Sequence, residues 1–209
     1  MKTFFISLES RREFDLSKII SEIDKLKEKK FSLCYSNQYS SFADKLLKKI
    51  SSKIIFKIQV LGCSNPKFPK GTEAVLFIGE GKFHSVSLAY ESKLPVYVVE
   101  EKGIRKVKEE EVEKLEKRER GALLRYLNAN SVGILVSTKP GQLRIEKAIE
   151  FKKNLKNKKS YLFIGNNLDK GEFENFGLDF WVNTACPRID LTDLPIINLN
   201  KLNPRDRDN

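Results

Sequence analysis

Ala74-Val75-Leu76-Phe77-Ile78-Gly79-Glu80-Gly81 decides the fold. Its unbroken apolar run reads as a buried strand, and the two glycines supply the permissive backbone of a tight turn at its end. A short helix is expected from about Ser85, and a further strand at Val96 to Val99. A strand, a turn, a helix and another strand form one unit of an α/β sheet.

The same alternation extends in both directions. Upstream, Phe4 to Leu8 reads as a strand and Asp15 as a helix N-cap. Leu16, Ile19, Ile20, Ile23 and Leu26 then follow at helical spacing. Phe31 to Tyr35 is a buried strand, and Phe42, Leu46, Leu47 and Ile50 mark a helix. Ile54 to Leu61 is a strand running to Cys63, and residues 65–71 form a loop. Downstream, residues 105–120 are charged and helix-forming, and a helix through Leu123, Leu124 and Leu127 follows. Val132 to Val136 is a strand, and Ile145, Ala148, Ile149 and Leu155 form the apolar face of a helix. Tyr161 to Ile164 is a strand, Phe173 and Phe176 sit on a short helix, and Phe180 to Val182 and Pro195 to Leu199 are strands. The polar tail from Pro204 is expected to fray.

This pattern predicts an α/β protein of two Rossmann-like domains, with parallel sheets flanked by helices, related as loose repeats. The domains are expected at 1–108 and 109–209. In such sheets ligands bind at the carboxyl ends of the strands. Cys63, Gly79, Gly81, Ser137 and Cys186 all fall at such ends. The repeat is imperfect, because the two cysteines follow different strands of their units.

Composition narrows the function classes. The 209 residues are 40% hydrophobic, enough for a real core, and no apolar run approaches the roughly 18 residues that span a bilayer. Three irregularly spaced cysteines do not form a secreted disulfide scaffold. A cytoplasmic protein without membrane association is expected. The net charge of +11 is carried largely by lysine runs such as residues 25–30 and 152–159. These read as solvated helix faces with general attraction to acidic partners, and no specific nucleic-acid recognition is expected.

The motifs leave several readings open. Gly79-Glu80-Gly81 is half of a dinucleotide fingerprint or simply a tight turn. Ser137-Thr138-Lys139-Pro140-Gly141-Gln142 lacks a Walker loop's Gly-Lys-Ser/Thr. It reads equally as a capped turn or as backbone donors for an anion. His84, the one histidine, is more readily structural than catalytic, and Trp181 reads as core. Cys63 and Cys186 lack the Cys-x2-Cys clustering that zinc prefers. Widely spaced cysteines on loops suit instead a [4Fe-4S] cluster held by three thiolates with one iron open, for which only two strong candidates are present.

Four ordered strings carry a resemblance. They are Gln59-Val60-Leu61-Gly62-Cys63; Phe77-Ile78-Gly79-Glu80-Gly81-Lys82-Phe83-His84; Gly133-Ile134-Leu135-Val136-Ser137-Thr138-Lys139-Pro140-Gly141-Gln142; and Trp181-Val182-Asn183-Thr184-Ala185-Cys186-Pro187-Arg188. In order and separation the chain resembles the archaeal diphthamide-synthesis family, 2-(3-amino-3-carboxypropyl)histidine synthase. The resemblance implies a radical enzyme in which a [4Fe-4S] cluster reduces S-adenosyl-L-methionine. The bond from sulfur to the γ-carbon breaks, not the bond to the ribose carbon. The 3-amino-3-carboxypropyl group passes to a histidine of translation elongation factor 2, and 5′-methylthioadenosine leaves.

By the same resemblance Cys63 and Cys186 are cluster ligands. Gly79, Gly81, Phe83 and His84 contribute to the S-adenosylmethionine site. Ser137, Thr138, Gln142 and Arg188 complete it, with Gln142 and Arg188 on the methionine carboxylate. Family members have three similar domains, each giving one cysteine, and this chain resembles the second and third. A separate first-domain fragment is therefore expected to supply the third cysteine within an oligomer. Cys34 or a homodimer sharing cysteines are alternative sources. A non-catalytic module binding adenosyl ligands or the elongation factor is the competing function, and an unrelated nucleotide-binding domain is a third.

Overall fold

The computed structural model describes residues 9–61, 65–187 and 195–202. The sequence-predicted strand at Phe4 to Leu8, Cys63, Arg188 and the tail from Pro204 lie outside the described residues. The chain divides into two compact units, one ending at Glu116 and the other beginning at Lys117.

The first unit opens with α1 (Leu16–Asp24), capped by Asp15, whose carboxylate accepts the Lys18 amide at 3.0 Å. Then come β1 (Phe31–Tyr35), α2 (Ser40–Lys49), β2 (Ile54–Gln59), β3 (Ala74–Ile78), α3 (Lys82–Ser92), β4 (Val96–Glu100) and β5 (Gly103–Lys106). The sheet order is β2-β1-β3-β4-β5. Strand β3 shows why helices cover both faces. Ala74, Leu76 and Ile78 pack with Ile19, Ile23 and Leu46 from α1 and α2. Val75 and Phe77 point the other way, towards Leu88 and Ala89 of α3. A strand buried on both faces must be apolar throughout, which is how this one reads.

Helix α4 (Glu109–Asn128) is continuous across the division between the units. Val112 packs in the first unit, whereas Ala122 and Tyr126 belong to the core of the second. The second unit continues with β6 (Ser131–Ser137), α5 (Ile145–Asn154), β7 (Lys159–Gly165), α6 (Lys170–Phe173), β8 (Phe180–Asn183), β9 (Ile196–Asn198) and α7 (Leu199–Leu202). Its sheet order is β7-β6-β8-β9, parallel throughout. Both sheets thus follow one rule: the second strand lies outside the first, and the third and fourth lie on its other side. The predicted α/β class with parallel-dominated sheets and flanking helices is the observed one.

Trp181 is a core residue, 2% exposed. It packs edge-on against Phe163 with ring centroids 4.9 Å apart, and against Phe173 at 5.1 Å. Its register partner is Gly133 on β6, where a Cβ would come within 2.1 Å of the indole. Glycine is required there because the ring occupies the space of a side chain.

Several local expectations are corrected. The first sheet is not wholly parallel: β5 pairs antiparallel with β4. Only Glu101 and Lys102 separate the two strands, too few for a crossover, so the chain must turn back as a hairpin. Helix α3 begins at Lys82 rather than near Ser85, because Gly81 at φ 74° is its N-cap. Strand β2 ends at Gln59, two residues before Leu61. The helix expected through Leu123, Leu124 and Leu127 is the observed one, part of α4, with those leucines 38–60% exposed.

Candidate functional site

In the second unit β6 and β8 are adjacent parallel strands with Leu135 opposite Asn183. Their carboxyl ends carry the two segments singled out in the sequence. They also mark the switch point of the sheet, where β6 connects outward to β7 and β8 to β9. Crevices at such points receive ligands in open α/β sheets.

The chain leaving β8 is held tightly. Thr184 donates to the Leu135 carbonyl through its amide at 3.1 Å and its hydroxyl at 2.7 Å. The Asn183 side chain accepts the Ala185 amide at 2.9 Å and donates to the Cys186 carbonyl at 2.8 Å. It also donates to the Asn198 side chain at 2.6 Å. Asn198 in turn donates to the Pro187 carbonyl at 3.0 Å. Cys186 is a half-buried free thiol on this pinned loop.

The turn after β6 is built by its own side chain. Ser137 is 2% exposed. Its hydroxyl accepts the Lys139 amide at 3.2 Å and lies 3.4 Å from the Asn166 carbonyl. Ser137 therefore shapes the turn, while Thr138 is exposed and Gln142 half-buried. The Gln142 amide closes the turn onto the Lys139 carbonyl at 3.0 Å, and Gly141 adopts φ 76°. Helix α5 starts three residues further on, so this turn precedes its amino end rather than forming it.

In the first unit Gly79 and Gly81 follow β3. A Cβ at Gly79 would come within 2.3 Å of the Phe77 ring. Phe83 and His84 lie in the first turn of α3, both half-buried, and His84 stacks on Phe77 at 5.9 Å. Glu80, between the glycines, accepts the Tyr39 hydroxyl and pairs with Arg12 at 3.3 Å. The structure thus groups Gly79, Gly81, Phe83 and His84 at one sheet end of the first unit. It groups Ser137, Thr138, Gln142 and Cys186 at the equivalent end of the second. Cys63 and Arg188 lie outside the described residues.

Cys34 is fully buried in β1, opposite Ile58 on β2 and Phe77 on β3. Burial pushes its thiol up to about 12, so it stays protonated and packs as a small hydrophobe. Its place inside the sheet, closed off from solvent, disfavours it as the alternative source of a cluster thiolate.

Sequence reasoning missed the amide pair of Asn183 and Asn198. A signal existed: both end apolar strands, Phe180-Trp181-Val182 and Ile196-Ile197, and they occupy registered positions on neighbouring strands. A polar side chain closing two adjacent apolar runs calls for a buried partner.

A family model described as “Putative diphthamide synthesis protein” matches residues 1–197. The 2-(3-amino-3-carboxypropyl)histidine synthase of Methanocaldococcus jannaschii is 32% identical over 205 residues, covering 92% of this chain and 57% of that protein. The Pyrococcus horikoshii protein of the same name is 30% identical over 146 residues, covering 68% of this chain and 42% of its own. The chain therefore spans about half the length of these curated relatives. Among solved structures, Dph2 from Pyrococcus horikoshii with a 4Fe-4S cluster superposes at a TM-score of 0.80 and 25% identity, covering 93% of this chain and 62% of that one. With its paired α/β units and its cysteine loop at a strand's carboxyl end, the chain belongs to the diphthamide synthesis protein family.

Proposed function

We propose that this chain is the part of a 2-(3-amino-3-carboxypropyl)histidine synthase that supplies two cluster thiolates, Cys63 and Cys186, together with a site for S-adenosyl-L-methionine. The observation that carries the reading is the half-buried Cys186 thiol on a pinned loop beside the Ser137–Gln142 turn. A soft thiolate suits an iron–sulfur centre. The described residues contain no group of histidine, cysteine, aspartate and glutamate able to hold a metal ion. In this reading Cys186 is one ligand of a centre shared with Cys63 and a third thiolate.

When bound, a [4Fe-4S] cluster supplies the one-electron reduction of the sulfonium substrate. The chain's own residues would bind and orient that substrate. The exposed Thr138 hydroxyl and the Gln142 side-chain amide can donate to the methionine carboxylate, with Arg188 as a fork-shaped partner. The first-turn amides of α3, following Gly81, and the rings of Phe83 and His84 offer donors and apolar surface to the adenosyl part. By holding the γ-carbon rather than the ribose towards the cluster, these residues would select the bond that breaks. The acceptor is a histidine imidazole of translation elongation factor 2. The third thiolate comes from outside these 209 residues, from a first-domain segment or a separate chain carrying it, in an oligomeric assembly of the cytoplasm.

Anaerobic reconstitution with iron and sulfide, with and without a first-domain polypeptide, tests this. Full loading and transfer to the elongation factor are expected only in the mixture, and Cys63→Ala or Cys186→Ala should abolish both. Loading that ignores both substitutions overturns the ligand assignment. Adenosyl binding without turnover in the mixture supports the non-catalytic module instead.

A further inference from the structure

We infer that Asn183 and Asn198 act as a pair of positioning residues that fix the Cys186 loop for ligation. The inference rests on Cys186 being a cluster ligand. Both side chains are almost fully buried, at 2% and 5% exposure. Four hydrogen bonds among the described residues fix the orientation of both amides. Asn183 must present its oxygen to the Ala185 amide and its nitrogen to the Cys186 carbonyl. That nitrogen also reaches Asn198, which must accept it with oxygen and so offers nitrogen to the Pro187 carbonyl. The two carbonyls on either side of the Cys186–Pro187 peptide bond are thus each gripped by one amide.

The arrangement is more than the sheet requires. Asn183 and Asn198 already face each other across β8 and β9 as register partners, and the backbone ladder joins those strands without their side chains. The extra bonds reach forward into the loop and end on the residue bearing the thiol and on its neighbour. Fixing the backbone at the ligand removes the ordering cost from the moment of metal binding.

The test uses the full chain without cluster, kept anaerobic and reduced. Alkylation by iodoacetamide is followed residue by residue with peptide mass spectrometry, in the wild type, Asn198→Asp and Asn198→Ser. Asn198→Asp keeps the oxygen that accepts from Asn183 and removes the donor to Pro187. Asn198→Ser removes the amide without burying a charge. Loosening the loop should speed alkylation of Cys186 by about fivefold or more in either variant, with Cys63 unchanged within about twofold. Cys34 should stay unreacted and so report that the fold is intact. Iron bound on reconstitution with the first-domain polypeptide should fall in parallel with the rise at Cys186. A Cys186 rate within about twofold of wild type in both variants overturns the inference. So does exposure of Cys34 in both, which marks a residue needed for folding rather than for positioning. Cys186→Ala that leaves iron content unchanged fails the ligand reading separately, whatever the alkylation rates show.

Discussion

The two units share a strand order and use it differently. In the first, the carboxyl ends of β1, β3 and β4 are crossed by residues 10–15. The Ser10 amide bonds to the Gln38 carbonyl at 2.9 Å, Arg12 pairs with Glu80 and Glu101, and the Asp15 amide reaches the Glu101 carbonyl at 2.8 Å. In the second, the matching ends of β6 and β8 carry the Ser137–Gln142 turn and a cysteine loop pinned by side chains. The cysteines also differ in place: Cys63 follows the outer strand β2 and Cys186 the inner strand β8. One topology therefore does not fix one site. Loops grafted onto it do, which is why fold alone is a weak guide to chemistry.

The strongest way to break this comparison is to remove one large buried ring from each unit. Phe77 is fully enclosed in the first and Trp181 nearly so in the second. Phe77→Ala and Trp181→Ala should each cost ~3–5 kcal/mol by leaving a cavity. Hydrogen exchange should show protection lost within the mutated unit first. Equal loss in both units would mean that they fold as one body. Gly133→Ala should cost ~1–3 kcal/mol, because a methyl there meets the indole. Trp181→Phe should recover part of that loss, and simple additivity in the double variant would remove the steric explanation.

How much of this was legible in the sequence varies by element. Strand β3 read with its observed ends because residues buried on both faces are apolar without interruption; β1 did so although buried Ser32 breaks its apolar run, its hydroxyl bonded to that of Thr72 at 3.0 Å. Asp15 read as a cap because an acid before a periodic apolar stretch has few other roles. The hairpin at Lys102-Gly103 went unseen, since β5 is a short edge strand with a mixed pattern, Gly103-Ile104-Arg105-Lys106. The helix through Leu123, Leu124 and Leu127 was legible because leucine is a strong helix former even where it is exposed. The buried face of that helix is Ala122 and Tyr126, one helical turn apart, which the sequence reading did not single out. At the site, the cysteine strings stood out. The amide pair did not, because hydrogen bonding between Asn183 and Asn198 depends on strand register, which local pattern does not reveal.

The two described cysteines sharpen the comparison chemically. Cys34 stays protonated through alkaline pH because burial holds its thiol near 12, while Cys186 is half-exposed. Between about pH 7 and 9, iodoacetamide should modify Cys186 and leave Cys34 intact. Cys34→Ala should leave iron content on reconstitution within about twofold of wild type. A large drop would make Cys34 a ligand and demand an opening of the first unit's core.

The smallest effect separates two carboxylates, one in each unit. Asp179 accepts the amides of Asn130 and Ser131 and the Ser131 hydroxyl, at 2.8–2.9 Å, and so joins the amino ends of β6 and β8. Those donors, mainly the Ser131 amide, hold its carboxyl below the ordinary value, with the charge of Lys158 last among the causes. Glu111 is held low first by the Lys108 amide, with help from Lys82 and Arg105. In both cases the native pKa lies below the unfolded one. The unfolded chain therefore binds more protons in acid, and the contribution is present above the unfolded pKa and lost as pH falls through the native one. Urea midpoints of wild type and Asp179→Asn should differ at neutral pH and converge in acid, and Glu111→Gln should behave alike. Salt tells them apart. Added sodium chloride should shrink the Glu111→Gln difference, because cations supply part of it, and leave the Asp179→Asn difference nearly unchanged, because neutral donors dominate there. If salt erased the Asp179 difference as well, the attraction of Lys158 rather than the Ser131 amide would be what ties β6 to β8.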